Sequence, residues 1–363
     1  MADPDWPTGL VLMKTNFNHI GASKAAAAFV LIISLLNFPI PCPAAPVKSA
    51  VKPMVITLQP GVTGDEIQQA LDNLPETGGE VVLPPGEILI CQPVVLHRDF
   101  QTLRGFGKTT VLRLEDDANC PVIIMGEPVN HPGQTTKNLR VSDLLIDGNR
   151  SRQTRELWKL EGEGSQIRNN GITVQGVSDS AIENVTSARC RSGGLVTARD
   201  VRRLTVRGLD AFDNAFDGLA CYETEDCLFT DLYLHDNPGA GISLDLAFNH
   251  NVISNAVLTA NDLGVFMRAS RNNQFCNVSI RDSHNYGVFM AHAETQTERG
   301  WEPAPKTECT KNAFTNLIAV NCGGSAFRVN NSTCTNNLII RPTFDGNLQG
   351  GLSLAQPDLV MVQ

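Results

Sequence analysis

The chain has 363 residues, of which 42% are hydrophobic and 18% charged. That is enough apolar material for a sizeable core and too little charge for a disordered chain. The formal net charge of −9 argues against a protein that grips nucleic acid through its phosphates.

Residues 1–50 read as a disposable leader. Residues 25–36 are small and apolar, Lys24 precedes them, and Pro39, Pro41, Pro43 and Pro46 follow. A dozen apolar residues are too few for a comfortable membrane span, which needs ~20, but they suit a signal-peptide core with small residues near Ala44 and Ala45 for cleavage. Met13-Lys14-Thr15 reads as a better start than Met1, and a single uncleaved anchor is the alternative. No stable span is expected once the leader is gone. Export would place the protein outside the cell, in the periplasm or at the cell surface, and would permit disulfides. The ten cysteines include no Cys-x-x-Cys pair, so no zinc site is expected. Losing Cys42 leaves an odd number.

Residues 51–363 read as one domain. Its first element is a helix over 65–74, with Ile67, Ala70, Leu71 and Leu74 on one face. Thr63 is its expected N-cap and Glu66 completes the capping box. The segment 78–86 (GGEVVLPPG) then gives a turn, a strand and a turn.

From residue 170 a motif recurs: Gly, apolar, any, apolar. It begins at Gly171, Gly194, Gly218, Gly241, Gly264, Gly287, Ser325 and Gly351, with intervals of 23, 24, 23, 23, 23, 38 and 26 residues. The long interval is one period plus an insertion over 294–309, which contains Trp301. A second excursion, 150–169, contains Trp158. In phase with the glycines runs Asn-x-(Ile/Phe)-x-Asn, at Asn251–Asn255, Asn273–Asn277 and Asn312–Asn316. Cys227–Asp231 is a variant. Periods of this length mean a solenoid. Apolar residues alternate with period two in short runs, which excludes helical repeats. Short strands, turn residues and stacked asparagines together predict an all-β parallel β-helix of about ten coils at the ~4.8 Å strand spacing, with the 65–74 helix capping its open end.

The cap helix, GGEVVLPPG, Leu103-Arg-Gly-Phe-Gly107 and Leu144-Leu-Ile-Asp-Gly-Asn149 resemble the opening of pectate-lyase-superfamily domains. The resemblance implies a right-handed parallel β-helix acting on polysaccharides. The Asn-Thr-Asp, Gly-His-Gly and Arg-Ile-Lys signatures of polygalacturonases do not occur, so no catalytic residue is carried over.

Aligning coils on the glycine places each offset in one stack. Offset +1 is apolar throughout, from Ile172 to Ala326 and Leu352, and is expected to face the core. Offsets +2 and +4 then face out. Offset +4 presents Tyr222, Asp245 and Arg268 on consecutive coils, with Glu223 and His292 one residue further on. On a solvent-facing sheet these groups suit polyuronate chemistry. Arg268 would neutralise a sugar carboxylate, and Tyr222 or His292 would exchange a proton. The same residues also make an ordinary surface ladder in which Asp245 pairs Arg268. Offset +2 holds Phe266, Phe289 and Phe327, as sugar-stacking rings or as the seat of the 294–309 insertion. Trp158 and Trp301, on the two excursions, would flank the sheet as a cleft. Arg328 breaks the inward offset +3. Arg189, Arg191, Arg199, Arg202, Arg203 and Arg207 cluster in sequence and could draw an acidic ligand to a negative protein.

Asp213, Asp236 and Asp282 share one turn offset. Ordinary turn chemistry accounts for them. Ca²⁺ is the alternative, no site for it is assigned, and no other cofactor is expected. Cys309 lies one position before the slot of Cys334, a proximity compatible with a disulfide. Three functions stay open: a lyase or epimerase on an acidic glycan, a glycoside hydrolase using Asp245 with Glu223 or Asp226, and a non-catalytic glycan-binding rod.

Overall fold

The computed structural model describes residues 54–155, 167–292 and 308–363. They form a right-handed parallel β-solenoid of about 12 turns with very little helix. The count is slightly above the expected ten, and strands stack from Met54–Thr57 onward, ahead of the glycine repeat. Strands of successive coils stack into three parallel sheets of ten, six and seventeen strands, the six-strand sheet running only from Thr136–Lys137 to Ser270–Arg271. In a typical coil, Ile172–Gln175 lies in the first, Val177–Ser178 in the second and Ala181–Ala188 in the third.

The cap helix, Gly64–Asp72, forms as its sequence requires. The Thr63 hydroxyl accepts the Glu66 N–H at 3.3 Å, and the Glu66 carboxylate accepts the Thr63 N–H at 2.8 Å. Ile67, Ala70, Leu71 and Leu74 are buried against the first coils.

The glycine column is a close approach between coils. A Cβ on Gly264 would lie 2.5 Å from the Gly287 carbonyl oxygen, and one on Gly287 would lie 2.3 Å from that of Ala326. Behind each glycine the +1 side chain enters the core. Ile172, Leu195, Leu219, Ile242, Val265 and Val288 are all buried. Leu352 is the exception, 41% exposed on a terminal coil.

One coil slips against the expected alignment. Val288 pairs Phe327 and Met290 pairs Val329, so Ala326, not Ser325, fills the glycine slot. Phe327 therefore points inward and is fully buried, edge-on to Phe314. Arg328 moves to the outward offset +2, which removes the anomaly of an arginine in the core.

Three columns of polar residues hold the turns. Asn251, Asn273, Asn312 and Asn337 stack inside the rod. The backbone N–H groups of Asn251, Asn273 and Asn312 each donate to the next side-chain oxygen at 3.0–3.2 Å, while the four side-chain amides donate to carbonyls of Thr224, Phe248, Ser270 and Cys309. Turn groups that would otherwise be orphaned are thereby satisfied. Asn214, Asn237 and Asn261 repeat the device at the turn into the ten-strand sheet. The second asparagine of the motif does different work. Asn255, Asn277 and Asn316 are exposed and left-handed, with φ of 52°, 57° and 55°. They bend each long strand of the seventeen-strand sheet, a conformation Asn and Asp tolerate best among residues with a side chain.

The asparagine columns also place Cys309 and Cys334 in the same slot of neighbouring coils, one position closer than the sequence alignment gave. They are free thiols, with the Cys309 N–H donating to Cys334 Sγ at 3.4 Å. The expected disulfide is thus a vicinal dithiol here. Among the described residues no helix is long and apolar enough to cross a membrane. The leader read over 1–50 lies outside the described residues.

Candidate functional site

Tyr222, Asp245 and Arg268 end the strands Leu219–Tyr222, Ala240–Asp245 and Leu263–Arg268 of the ten-strand sheet. Tyr222 pairs Asp245, and Leu244 pairs Met267, so the three follow one another at the ~4.8 Å coil spacing. The next residue in each coil is left-handed: Glu223 at φ 45°, Leu246 at 47° and Ala269 at 44°. A leucine there is uncommon. The bend stops the strand and leaves the preceding side chain on the outer face.

That face is not open solvent, contrary to expectation. Gln175, Ala198 and Asp245 are 2% exposed or less. Over the early coils the Gln175 amide donates to the carbonyls of Glu127 and Val129, both at 2.5 Å. Chain outside the repeat therefore lies across offset +4. The face opens at Phe266 and Phe289, both half-buried.

Burial changes the chemistry of the column. The Asp245 carboxylate accepts hydrogen bonds from the Leu246 N–H at 2.9 Å and from the Arg268 guanidinium. Arg268 lies 5.2 Å over the Phe266 ring, and its Nε is buried without a hydrogen-bond partner. Phe266 stacks on Phe289 at 5.9 Å, Phe289 meets Tyr286 at 5.4 Å, and Arg328 lies 5.4 Å from the Tyr286 ring. Two guanidiniums thus bracket three aromatic rings along consecutive coils.

Burial pushes the Tyr222 phenol well above its ordinary range, and the charges of Asp217 and Asp245 add to this while Arg168 and Arg268 oppose it. The phenol therefore stays protonated at neutral pH. Asp217 is the second displaced acid. Burial pushes its carboxyl up to about 6, against the pull of the Ala240 N–H at 2.7 Å and of Arg168. A carboxyl near 6 can hold or take a proton close to neutral pH.

The structure therefore gathers Tyr222, Asp245, Arg268, Phe266 and Phe289, and adds Asp217, Tyr286 and Arg328. Two expected residues stand apart. Glu223 turns to Arg199 at 3.5 Å, and burial raises its carboxyl. His292 lies three coils beyond Glu223, its N–H donating to Asn331 and its Nδ1 3.5 Å from Thr333 Oγ1. Trp158 and Trp301 lie outside the described residues. Phe327 is excluded by its burial. Within the basic cluster, Arg189, Arg199, Arg202 and Arg203 each pair a carboxylate, which blunts any long-range field they would supply. The row Asp213, Asp236 and Asp282 is left-handed throughout, at φ 54–56°, as turn chemistry requires. His235 sits between Asp210 and Asp236 on the outer face of the seventeen-strand sheet, stacked on Phe212 at 4.8 Å.

The fold and this face can be set beside known proteins. The A-module of the mannuronan C-5 epimerase AlgE6 of Azotobacter vinelandii aligns with a TM-score of 0.54 and 17% identity, covering 83% of this chain and 93% of its own. The ORF18 protein of Geobacillus virus E2 aligns at 0.62 and 13%, over 96% of this chain and 66% of its own. The family 28 exopolygalacturonase of Yersinia enterocolitica aligns at 0.55 and 14%, over 86% and 77%. These likenesses show the fold. No curated protein sequence matches the chain. The profile of the NosD family, described as a periplasmic copper-binding protein, matches residues 134–351, more than half of the chain. The chain belongs to the NosD family.

The NosD description names copper, and the residues can be tested for it. Among the described residues no group of three or more His, Cys, Asp or Glu converges to hold a metal ion. Burial pushes the Cys190 and Cys227 thiols up to about 12, away from the thiolate a metal needs. Cys309 and Cys334 are adjacent but supply only two donors inside the core. Among the described residues no copper centre of three or more such ligands is formed, and no step below is routed through copper.

Proposed function

We propose that this NosD-family protein is exported, with residues 1–50 as its leader, and that the outer face of its ten-strand sheet acts on an acidic polysaccharide as a lyase or epimerase. One observation carries the reading: the Arg268 guanidinium is held between a buried carboxylate and an aromatic ring, on a face that also carries a carboxyl raised to about 6 and a phenol that burial keeps protonated. The family description as periplasmic supports export. The mannuronan epimerase and the exopolygalacturonase, of the same fold, are named for uronate polymers, which fits the substrate class.

In this reading sugar rings lie on Phe266, Phe289 and Tyr286. Arg268 bonds the uronate carboxylate and withdraws its charge, which makes the neighbouring C–H more acidic. Ionised Asp217 removes that proton. Tyr222 then gives its phenolic proton either to the departing glycosidic oxygen, leaving an unsaturated sugar, or to the opposite face of the carbon, inverting it. Asp245 keeps Arg268 in place. Asp217 with its raised carboxyl and Asp245 paired with Arg268 also offer two carboxyl groups on this face, the residue types a glycosidase uses, which is the second reading.

The test is incubation of the purified protein with polyuronates and neutral glycans, reading ultraviolet absorbance, reducing ends and the NMR spectrum of the polymer. Absorbance marks a lyase, inverted sugars without new ends an epimerase, and ends without absorbance a hydrolase. Retained binding with no product in any channel would leave a glycan-binding rod and overturn the enzymatic reading.

A further inference from the structure

We propose a second ligand site, for a small oxyanion, in the pocket lined by Arg113, Asp147, Asn149, Arg150, Arg189 and Asp213. The pocket encloses about 370 Å³. It opens at the turn that leaves the seventeen-strand sheet, away from the strand ends that carry Tyr222, Asp245 and Arg268. Its wall is the end of the Leu144–Asn149 motif, for which the proposed catalysis has no use. Gly148 lets the coils close there, since a Cβ would lie 2.5 Å from Cys190 Cα, and Asn149 turns left-handed at φ 45°. That turn delivers Arg150 and Ser151 to the rim.

The charges of the pocket do not balance. Arg189 forks onto Asp147 through Nε at 3.0 Å and Nη2 at 2.9 Å. Asp147 also accepts the Asn149 N–H at 2.9 Å. Arg150 pairs Asp213 at 2.9 Å. Both lining carboxylates are thus engaged by other residues. Arg113, from the strand Thr110–Leu114, makes only the longer ion pairs. Its nearest carboxylate oxygens are Glu87 at 3.5 Å and Asp147 at 3.8 Å, and its Nε is buried without a hydrogen-bond partner. A buried N–H left unmet costs free energy. A carboxylate, sulfate or phosphate oxygen would meet it, and a guanidinium takes such groups in two parallel bonds. Arg150, Ser151 and Arg189 line the same pocket. The chemistry is that of an oxyanion, whose source is either an acidic sugar or a free inorganic ion.

The experiment is calorimetric titration of the full chain at fixed ionic strength with sodium sulfate, inorganic phosphate and sodium galacturonate, chloride serving as the balancing salt. The site predicts saturable one-to-one binding of at least one of the three. Galacturonate alone identifies a glycan group, and sulfate or phosphate a free ion. Arg113→Gln is expected to weaken binding at least tenfold, while Arg140→Ala, which removes an exposed guanidinium outside the pocket, leaves it unchanged. Asp213→Asn, which frees Arg150, is expected to tighten binding severalfold, and it decides the matter should Arg113→Gln fail to fold. Absence of saturable binding in the wild type, binding indifferent to both pocket variants, or equal loss in Arg140→Ala would overturn the proposal.

Discussion

The outer faces of the ten-strand and seventeen-strand sheets come from the same repeat and the same alternation, yet they treat charge in opposite ways. On the seventeen-strand sheet, Arg140 pairs Glu183 at 2.6 Å and Arg104 pairs Glu80 at 2.6 Å, with side chains 23–49% exposed. Water and salt screen such pairs, and they are worth little. On the ten-strand sheet the Asp245 side chain is only 4% exposed beside Arg268, and Tyr222 and Asp217 have their protonation displaced. A regular coil does not need that arrangement, and desolvated charge is costly. Its concentration on one face is what a reactive site requires.

The comparison can be broken by substitution, beginning with the largest effect. Tyr222→Phe removes the proposed proton donor and keeps the ring, so turnover of the cleaved or inverted glycan should fall at least about a hundredfold with glycan affinity retained. Steady-state kinetics beside a binding titration would show it. Unchanged turnover would remove Tyr222 from the chemistry.

Next come the two asparagine columns, which make the same contrast between buried and exposed polar groups. Asn273→Ala strips a buried side chain that bonds Phe248 O, Asn312 Oδ1 and the Asn251 N–H. It should cost about 3 kcal/mol or more in denaturant unfolding. Asn277→Ala, on the exposed column, should cost under about 1 kcal/mol. Equal costs would refute the assignment of the inner column as the structural one.

Asp217 gives a pH test. Its folded carboxyl sits near 6 against an ordinary 3.8, so the folded state binds the proton more tightly than the unfolded one. Its penalty is absent below about pH 4, grows as pH rises through 6, and is constant above. Asp217→Asn should therefore gain stability over the wild type at pH 7, by at most about 3 kcal/mol, and the gain should vanish near pH 4. A difference flat in pH would mean an unperturbed carboxyl. The smallest effect is expected on the seventeen-strand face, where a double-mutant cycle on Arg140 and Glu183 should couple by less than about 1 kcal/mol.

The fold was legible because its constraints repeat. The glycine column reports coil-to-coil contact, the inner asparagines report buried turns, and Thr63 with Glu66 reports the cap. The register failed after 294–309, where the insertion broke the period and Ser325 and Ala326 are both small enough for the glycine slot. Arg328 in a core position was the sign of the slip. The Tyr222–Asp245–Arg268 column was readable from offsets alone. Its burial was not, since the chain that covers the early coils lies outside the period. Asp217 and Tyr286 were visible at the position before each glycine, where Gly193, Ala240 and Leu263 are small or apolar, but a turn position reads as solvent by default. Glu223 occupies the left-handed bend itself and turns to Arg199, a partner from the preceding coil that strand offsets do not report.

The most direct measurement of the central claim is the affinity of a polyuronate for three proteins: wild type, Arg268→Ala and Arg140→Ala. Each variant removes one guanidinium from the outer face of one sheet. The account predicts a loss of about tenfold or more for Arg268→Ala and wild-type affinity for Arg140→Ala. Equal losses, or none in Arg268→Ala, would mean that the ten-strand face is not where an acidic glycan binds.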